Sequence, residues 1–390
     1  MKILFVINNF FIEGNGLAAS ARRTVKVLRE AGHEVRVLSG PNLNEGGEQP
    51  DFPLKRLVFP IFQPLIDANG FQFARSDRKM MRRAIEWADV VHLEEAFIIQ
   101  IIAARMARKM GKPLTGTFHL YPENILCNFG MGSLRLPNDI LLAVWRDWVF
   151  NHCSHLQCPT MNVGRRLKIH RFKPDMRIIS NGLIPDASIR PTVPPEDYES
   201  PERPLKVLYI GRFAPEKDQM TLLRAMRHSA FAKRIQLQFA GCGPMEKKYR
   251  KEAHRLYREG ILAYEPQFGF YDRDGLRRLA SEADLCVHAA IIEVEGLSIM
   301  EAMQQAAVPV IAEGRYTGTS QFALDERSIY KGKDSKGLAE RIDYWLSHPR
   351  ERWEQGLRYA VSMKQYEIGK SAEALEQMFR DATDSAHRRS

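Results

Sequence analysis

Two doubly wound α/β domains in succession are the architecture that this sequence predicts. The apolar run Ile3-Leu4-Phe5-Val6-Ile7 has the composition of a parallel strand buried on both faces. A glycine-bearing turn, a helical periodicity and a second strand follow it, completing one βαβ unit. A fresh strand, Val207-Leu208-Tyr209-Ile210, starts the same alternation again in mid-chain. Between the halves, Pro185, Pro191, Pro194, Pro195, Pro201 and Pro204 interrupt all periodicity, which is the signature of a linker.

In the first half, Glu13-Gly14-Asn15-Gly16 is the turn, Leu17 to Ala31 is helical with Gly32 as its C-cap, and Val35 to Leu38 is the next strand. Val90 to Leu93, Leu114 to Phe118, Leu156 to Pro159 and Arg177 to Ser180 read as later strands, with a helix over Ala96 to Lys109. In the second half the strands fall at Ile235 to Phe239, Leu285 to Val287 and Val308 to Ile311. The expected boundaries are 1–185 for the first domain, 186–204 for the linker, 205–365 for the second domain and 366–390 for a C-terminal segment, helical from Gly369 to Ala382. Two such domains face each other across a cleft, and ligands collect at the carboxyl ends of the strands.

Length and composition agree with this division. A chain of 390 residues exceeds one ordinary core. At 44% apolar and 27% charged residues it has the composition of a soluble globular protein. The five cysteines form no paired framework, and the Cys153/Cys158 spacing suits neither a zinc ribbon nor a redox pair, so a reducing cytoplasm and no structural metal are expected. Met1 to Phe11 is too short, too interrupted by Asn8-Asn9 and too poor in small residues for a cleavable leader. No run reaches the roughly 18 apolar residues of a membrane span. The net charge of +10 fits anionic lipid or phosphorylated substrates, while no nucleic-acid-binding module is recognisable.

The chemistry-bearing residues concentrate in the second half. Glu293 and Glu301 lie eight residues apart, on either side of Gly296-Leu297-Ser298, where a loop turns into a helix. A helix N-terminus offers free N–H groups and partial positive charge to a phosphate, and flanking carboxylates can accept from sugar hydroxyls. The alternative is an ordinary amphipathic helix carrying glutamates. Upstream, Tyr209-Ile210-Gly211-Arg212-Phe213-Ala214-Pro215-Glu216-Lys217 delivers Arg212 and Lys217 from a strand end. Two converging cations can hold a diphosphate and stabilise it as a leaving group; the alternative is two surface cations. Gly241-Cys242-Gly243-Pro244 is a turn after a strand, and Gln267-Phe268-Gly269-Phe270 a short strand-like segment. In the first half His119 stands at a strand end, as a ligand or as a satisfied sheet residue. No spacing supports a Ser–His–Asp or Cys–His pairing.

Together these motifs resemble those of the retaining glycosyltransferases of family 4, which have the GT-B fold of two Rossmann-like domains. The resemblance implies a nucleoside-diphosphate sugar as donor, UDP-sugar favoured, no metal or other cofactor, and a C-terminal helix that crosses back to the N-terminal domain. By resemblance His119, Glu293, Arg212 and Lys217 are catalytic. Gly14, Gly16, Gly211, Arg212, Lys217, Gly243, Phe268, Glu293, Gly296, Leu297, Ser298 and Glu301 bind the donor, and Asn181-Gly182 closes the N-terminal domain. Departures are Glu295 in the slot usually held by an aromatic residue, facing solvent or a polar group, Ala289-Ala290 in place of Pro-Ser, and the 313–320 loop, where Gly318 and Thr319 stand in for the usual glycines and acid. The stretches Thr117 to Asn124 and Gln321 to Arg327 are similar to a bacterial subgroup that includes diacylglycerol glucosyltransferases and cell-envelope enzymes. A lipid or glycan acceptor at an anionic membrane surface follows, with the enzyme cytoplasmic and peripheral. Arg75 to Trp87 and Met131 to Phe150 are amphipathic enough to meet that surface, or to pack on the sheet with their polar faces in water. A soluble acceptor, a non-catalytic nucleotide-sugar-binding module and a phosphorylase stay open as alternatives.

Overall fold

Lys2–Val6, buried beyond its first residue, occupies the middle of a seven-stranded sheet. The computed structural model describes residues 1–186 and 191–388. In spatial order this sheet runs Phe52–Pro53, Glu34–Ser39, Lys2–Val6, Val90–Leu93, Leu114–Thr117, His155–Cys158, Asp175–Ile178, and every pairing is parallel. Strand order reverses between Lys2–Val6 and Val90–Leu93, so the topological switch point lies at their carboxyl ends.

A second, six-stranded parallel sheet runs Gln267–Gly269, Ile235–Ala240, Leu205–Ile210, Leu285–His288, Val308–Glu313, Ile329–Lys331. Its order reverses between Leu205–Ile210 and Leu285–His288. The apolar runs read from the sequence form the centres of both sheets, because a parallel strand covered on two faces carries almost only buried side chains. The peripheral strands Phe52–Pro53, Gln267–Gly269 and Ile329–Lys331 are two or three residues long, too short to leave a periodic signal.

Contacts divide the chain into Met1–Gly182 with Ile368–Ser390, and Leu183–Glu367. The helix Ile368–His387 therefore belongs to the first unit, where Ala372, Leu375, Met378 and Phe379 join the core built on Ile3, Phe5 and Val37. The proline-rich stretch departs from expectation. Of the expected linker 186–204, residues 187–190 lie outside the described residues, and the part from Pro191 onwards is grouped with the second unit. Tyr198 is buried there against Trp353, with ring centroids 4.8 Å apart, and accepts from Arg352 Nε at 2.9 Å. Arg203 forms a fork on Asp284 at 2.6 and 3.1 Å, and Arg352 reaches the same carboxylate at 2.8 Å. Prolines removed the periodicity, but one tyrosine and one arginine suffice to fasten the segment.

Candidate active site

In the second unit, the residues singled out from the sequence gather at the switch point. Gly211 and Arg212 leave the end of Leu205–Ile210, and Glu293 follows Leu285–His288 after one short loop. Lys217 Nζ donates to Glu293 Oε2, and Arg212 Nη2 donates to Glu216 Oε1. His288 Nε2 lies 3.4 Å from the same oxygen of Glu293. Burial alone would favour the neutral acid. The Lys217 ammonium and His288 outweigh it and hold the Glu293 carboxyl down at about 2, so the group is a permanent anion. The backbone carbonyl of Lys217 accepts from the buried Tyr209 hydroxyl, which fixes the loop that carries the lysine.

Gly296 caps the helix Leu297–Gln304 with a left-handed φ of 88°. A Cβ there would stand 2.8 Å from Thr319 Oγ1, so the position demands glycine twice over. No side chain caps this helix, which leaves the first-turn N–H groups around Leu297 and Ser298 available to a ligand. Glu301 sits part-exposed on the same helix. The 313–320 loop has a definite place: Ile292–Glu293 pairs with Tyr316–Thr317, and Gly318 N donates to Glu293 O at 2.8 Å. Glu295, for which solvent exposure was one expectation, is buried instead. After burial itself, its charge is what pushes the Tyr366 phenol up.

The Gly241–Pro244 turn is explained by protein packing. A Cβ on Gly241 would meet Gly211 O at 2.1 Å, and one on Gly243 would meet Phe213 O at 2.5 Å. Phe213 N donates to Cys242 O at 2.8 Å, and Met245 N to Phe213 O at 2.9 Å. The turn is thus riveted to the Arg212 loop and positions it. The Phe268 ring stacks on Phe239 at 4.8 Å and lies under the Arg250 guanidinium, so that ring is engaged by protein.

The first unit carries His119 past the end of Leu114–Thr117. Its Nε2 lies 2.5 Å from Glu94 Oε2. Glu94 and Glu95 directly follow Val90–Leu93 at that unit's switch point. The sequence reading passed over them, although two acids closing an apolar strand are a visible signal. It also passed over His288. Burial opposes ionisation of Glu94, but His119 and then His92 bring its carboxyl below the usual range. His92 is fully enclosed, bonded to Thr115 and Thr117 at 2.9 Å each, and burial pushes it down to about 4. Gly14 and Gly16 flank Asn15, which caps the helix Gly16–Glu30 by accepting from Ala18 N at 3.1 Å.

The two amphipathic stretches part company. The helix Arg78–Trp87 turns Met81, Ala84 and Ile85 into the core and leaves a basic face outside, so its apolar stripe is already used. The helix Arg135–Trp148 leaves Leu136 71% and Ile140 56% exposed, and Leu134 and Trp148 are exposed beside them. Among the described residues no helix is long and apolar enough to cross a membrane, and no group of three or more His, Cys, Asp or Glu could hold a metal ion.

Comparison with known proteins agrees with this geometry. Residues 14–187 match the model described as Glycosyltransferase Family 4, and residues 194–359 match that of Glycosyl transferases group 1. The alpha-monoglucosyldiacylglycerol synthase of Streptococcus pneumoniae is 22% identical over 80% of this chain and 71% of its own. The GDP-mannose-dependent alpha-mannosyltransferase of Mycolicibacterium smegmatis is 24% identical over 80% of this chain and 79% of its own. Among solved structures, Anabaena HepE in complex with UDP superposes with a TM-score of 0.71 at 15% identity, covering 98% of this chain and 100% of that one. The matched domain families and the fold make this a hexosyltransferase with the GT-B fold. The first half of the chain thus carries a Glycosyltransferase Family 4 domain and the second a Glycosyl transferases group 1 domain.

Proposed function

We propose that this protein is a retaining glycosyltransferase that moves a sugar from a nucleoside-diphosphate sugar, UDP-sugar favoured, to a lipid or lipid-linked acceptor at the cytoplasmic membrane surface. The diphosphate takes the N–H groups at Leu297 and Ser298 together with Arg212 and Lys217. Glu301 accepts from the ribose hydroxyls and Glu293 from those of the sugar. The backbone at Gln267–Gly269 borders the base, and the first unit serves the acceptor. The bond from the anomeric carbon to the diphosphate breaks and the bond to the acceptor oxygen forms on the same face. The acceptor's proton passes to the departing phosphate oxygen. Arg212 and Lys217 then meet more negative charge in the transition state than in the ground state, which is what accelerates the step.

The observation that carries the lipid reading is the apolar surface of the first unit. Leu134, Leu136, Ile140 and Trp148 are exposed on one helix, and Phe129 just before it meets Phe62 of a neighbouring segment that also exposes Ile61 and Val58. A patch of this kind, in a protein of net charge +10, suits a bilayer with anionic headgroups. The test is transfer from UDP- and GDP-sugars to diacylglycerol in anionic vesicles and, in parallel, to soluble glycosides, with the product anomer read by NMR. Transfer to the vesicle lipid with retained configuration is expected. Transfer to soluble glycosides alone, without vesicle flotation, would refute the lipid reading, and an inverted product the retaining one.

A further inference from the structure

His288 ends the strand Leu285–His288, one of the two strands between which the order of the second sheet reverses. Its imidazole is buried. The ring lies nearly parallel to that of Tyr209 on the adjacent strand, with centroids 6.5 Å apart and 12° between the planes. The Tyr209 hydroxyl donates to the Lys217 carbonyl, and Lys217 Nζ donates to Glu293 Oε2. His288 Nε2 lies 3.4 Å from that same oxygen. His288, Glu293, Lys217 and Tyr209 thus close a ring of contacts around the switch point. The nitrogen has a second neighbour. A Cβ on Gly296 would stand 3.4 Å from His288 Nε2, so the imidazole also borders the residue that caps Leu297–Gln304.

The contacts on Glu293 are one-sided. Lys217 and His288 both approach Oε2, which leaves Oε1 to a ligand. An ammonium is a compact charge on a flexible four-carbon stem, so it neutralises a carboxylate without fixing its direction. In the complex proposed above, Lys217 must also share its N–H groups with the diphosphate. An imidazole held on a sheet strand against an aromatic ring has fewer rotamers to lose. Glu293 stays ionised at neutral pH and can only accept, so Nε2 is a protonated ring nitrogen. We propose that His288 is a positioning residue of the donor site: its Nε2–H holds Oε2 of Glu293 while Lys217 serves the diphosphate, so that Oε1 is presented to the hydroxyls of the transferred sugar. A histidine that merely fills the core would be replaceable by an apolar side chain of similar size.

The inference rests on Glu293 meeting the donor sugar, and the tests separate the two ideas. In the full chain labelled with ¹⁵N-histidine, with His288 assigned through His288→Gln, Nε2 is expected to be protonated, and its resonance is expected to move in Glu293→Gln. A bare Nε2, or a resonance indifferent to Glu293→Gln, overturns the proposal. Steady-state assays use UDP-glucose or GDP-mannose, whichever the wild type turns over. His288→Leu is expected to lower kcat/KM for the donor about tenfold, the scale of one lost hydrogen bond to a buried charge. Inhibition by the free nucleoside diphosphate, which carries no sugar, is expected to hold. His288→Gln, whose Nε2 can reach the same oxygen, is expected to recover most of the loss. In the Glu293→Ala background, His288→Leu is expected to add less than about a twofold loss, because the effects of two partners in one interaction do not add. A folded His288→Leu protein with wild-type kcat/KM, an equal loss of nucleoside diphosphate affinity, or the full loss on top of Glu293→Ala overturns the proposal. Should Glu293→Ala turn over the donor like the wild type, the role given to Glu293 above fails, and the hold of His288 on its carboxylate still stands or falls on the ¹⁵N result.

Discussion

Each unit places a glutamate and a histidine at or just beyond the carboxyl ends of its strands, and the two arrangements pull their carboxyls in opposite directions. In the second unit Glu293 has Lys217 against it and His288 at 3.4 Å, and its carboxyl is held at about 2. In the first, Glu95 is tied only by neutral amides beside an ionised Glu94 and sits at about 7. The difference is one ammonium group. With it, a partly buried acid stays charged, and the cluster suits a diphosphate and its sugar. Without it, a buried acid keeps its proton into the neutral range. Similar strand-end geometry on a repeated fold thus yields two chemistries, set by neighbours rather than by the acid itself.

The comparison is most easily broken at its charged end. Lys217→Ala or Glu293→Ala is expected to lower kcat by about a hundredfold or more, the scale of one lost transition-state contact, in a protein that still folds, with a melting temperature lowered by the broken ion pair. A rate within a few fold of wild type would remove both residues from the chemistry. The pH dependence of stability sharpens the contrast. The depressed Glu293 contributes stability that is full above about 4.5 and is lost as pH falls through about 2. The raised Glu95 acts the other way: its cost is absent below about 4.5 and grows as pH climbs through about 7. Each effect is at most about 3 kcal/mol. Melting temperatures recorded against pH should therefore decline at both ends, and Glu95→Gln should flatten the upper decline alone. An unchanged upper limb in that variant would contradict the assignment.

What the sequence could show follows the same division. The second site is written in two short motifs, because Arg212, Glu216 and Lys217 come from one loop and Glu293, Gly296 and Glu301 from one loop and helix. The first is assembled from partners 87 residues apart, Asn8 and Glu95, and 25 apart, Glu94 and His119, and no local pattern announces such pairs. His119 was legible from its strand-end position together with the resemblance, but its partner Glu94 was not. His288 directly follows the strand expected over Leu285 to Val287, and its nearness to Glu293 depends on the fold of the intervening loop. The glycines divide too. Gly241→Ala forces a Cβ onto the Gly211 carbonyl and is expected to cost at least about 2 kcal/mol. Gly16→Ala meets open space at a helix start, so stability should hold or rise slightly while any effect on transfer reports function. Thermal melts of the two variants decide whether that distinction is real.

A second pair of regions bears on the membrane. The helices Arg78–Trp87 and Arg135–Trp148 looked alike in sequence, both amphipathic and both rich in large apolar side chains. The first spends its apolar stripe on the core, where Met81 and Ile85 are fully buried, so only its basic face can touch a bilayer. The second leaves Leu136 and Ile140 outside, each able to contribute about 1 kcal/mol or more on entering an interface. Leu136→Asp with Ile140→Asp should therefore reduce flotation on anionic vesicles by about tenfold in low and high salt alike. Arg82→Gln with Arg83→Gln should reduce it by a few fold and only at low salt, because exposed charges are screened beyond about 10 Å at 0.1 M. If the aspartates left flotation unchanged while the glutamines abolished it, the contact would be electrostatic, and the apolar helix would lose its assigned role at the lipid surface.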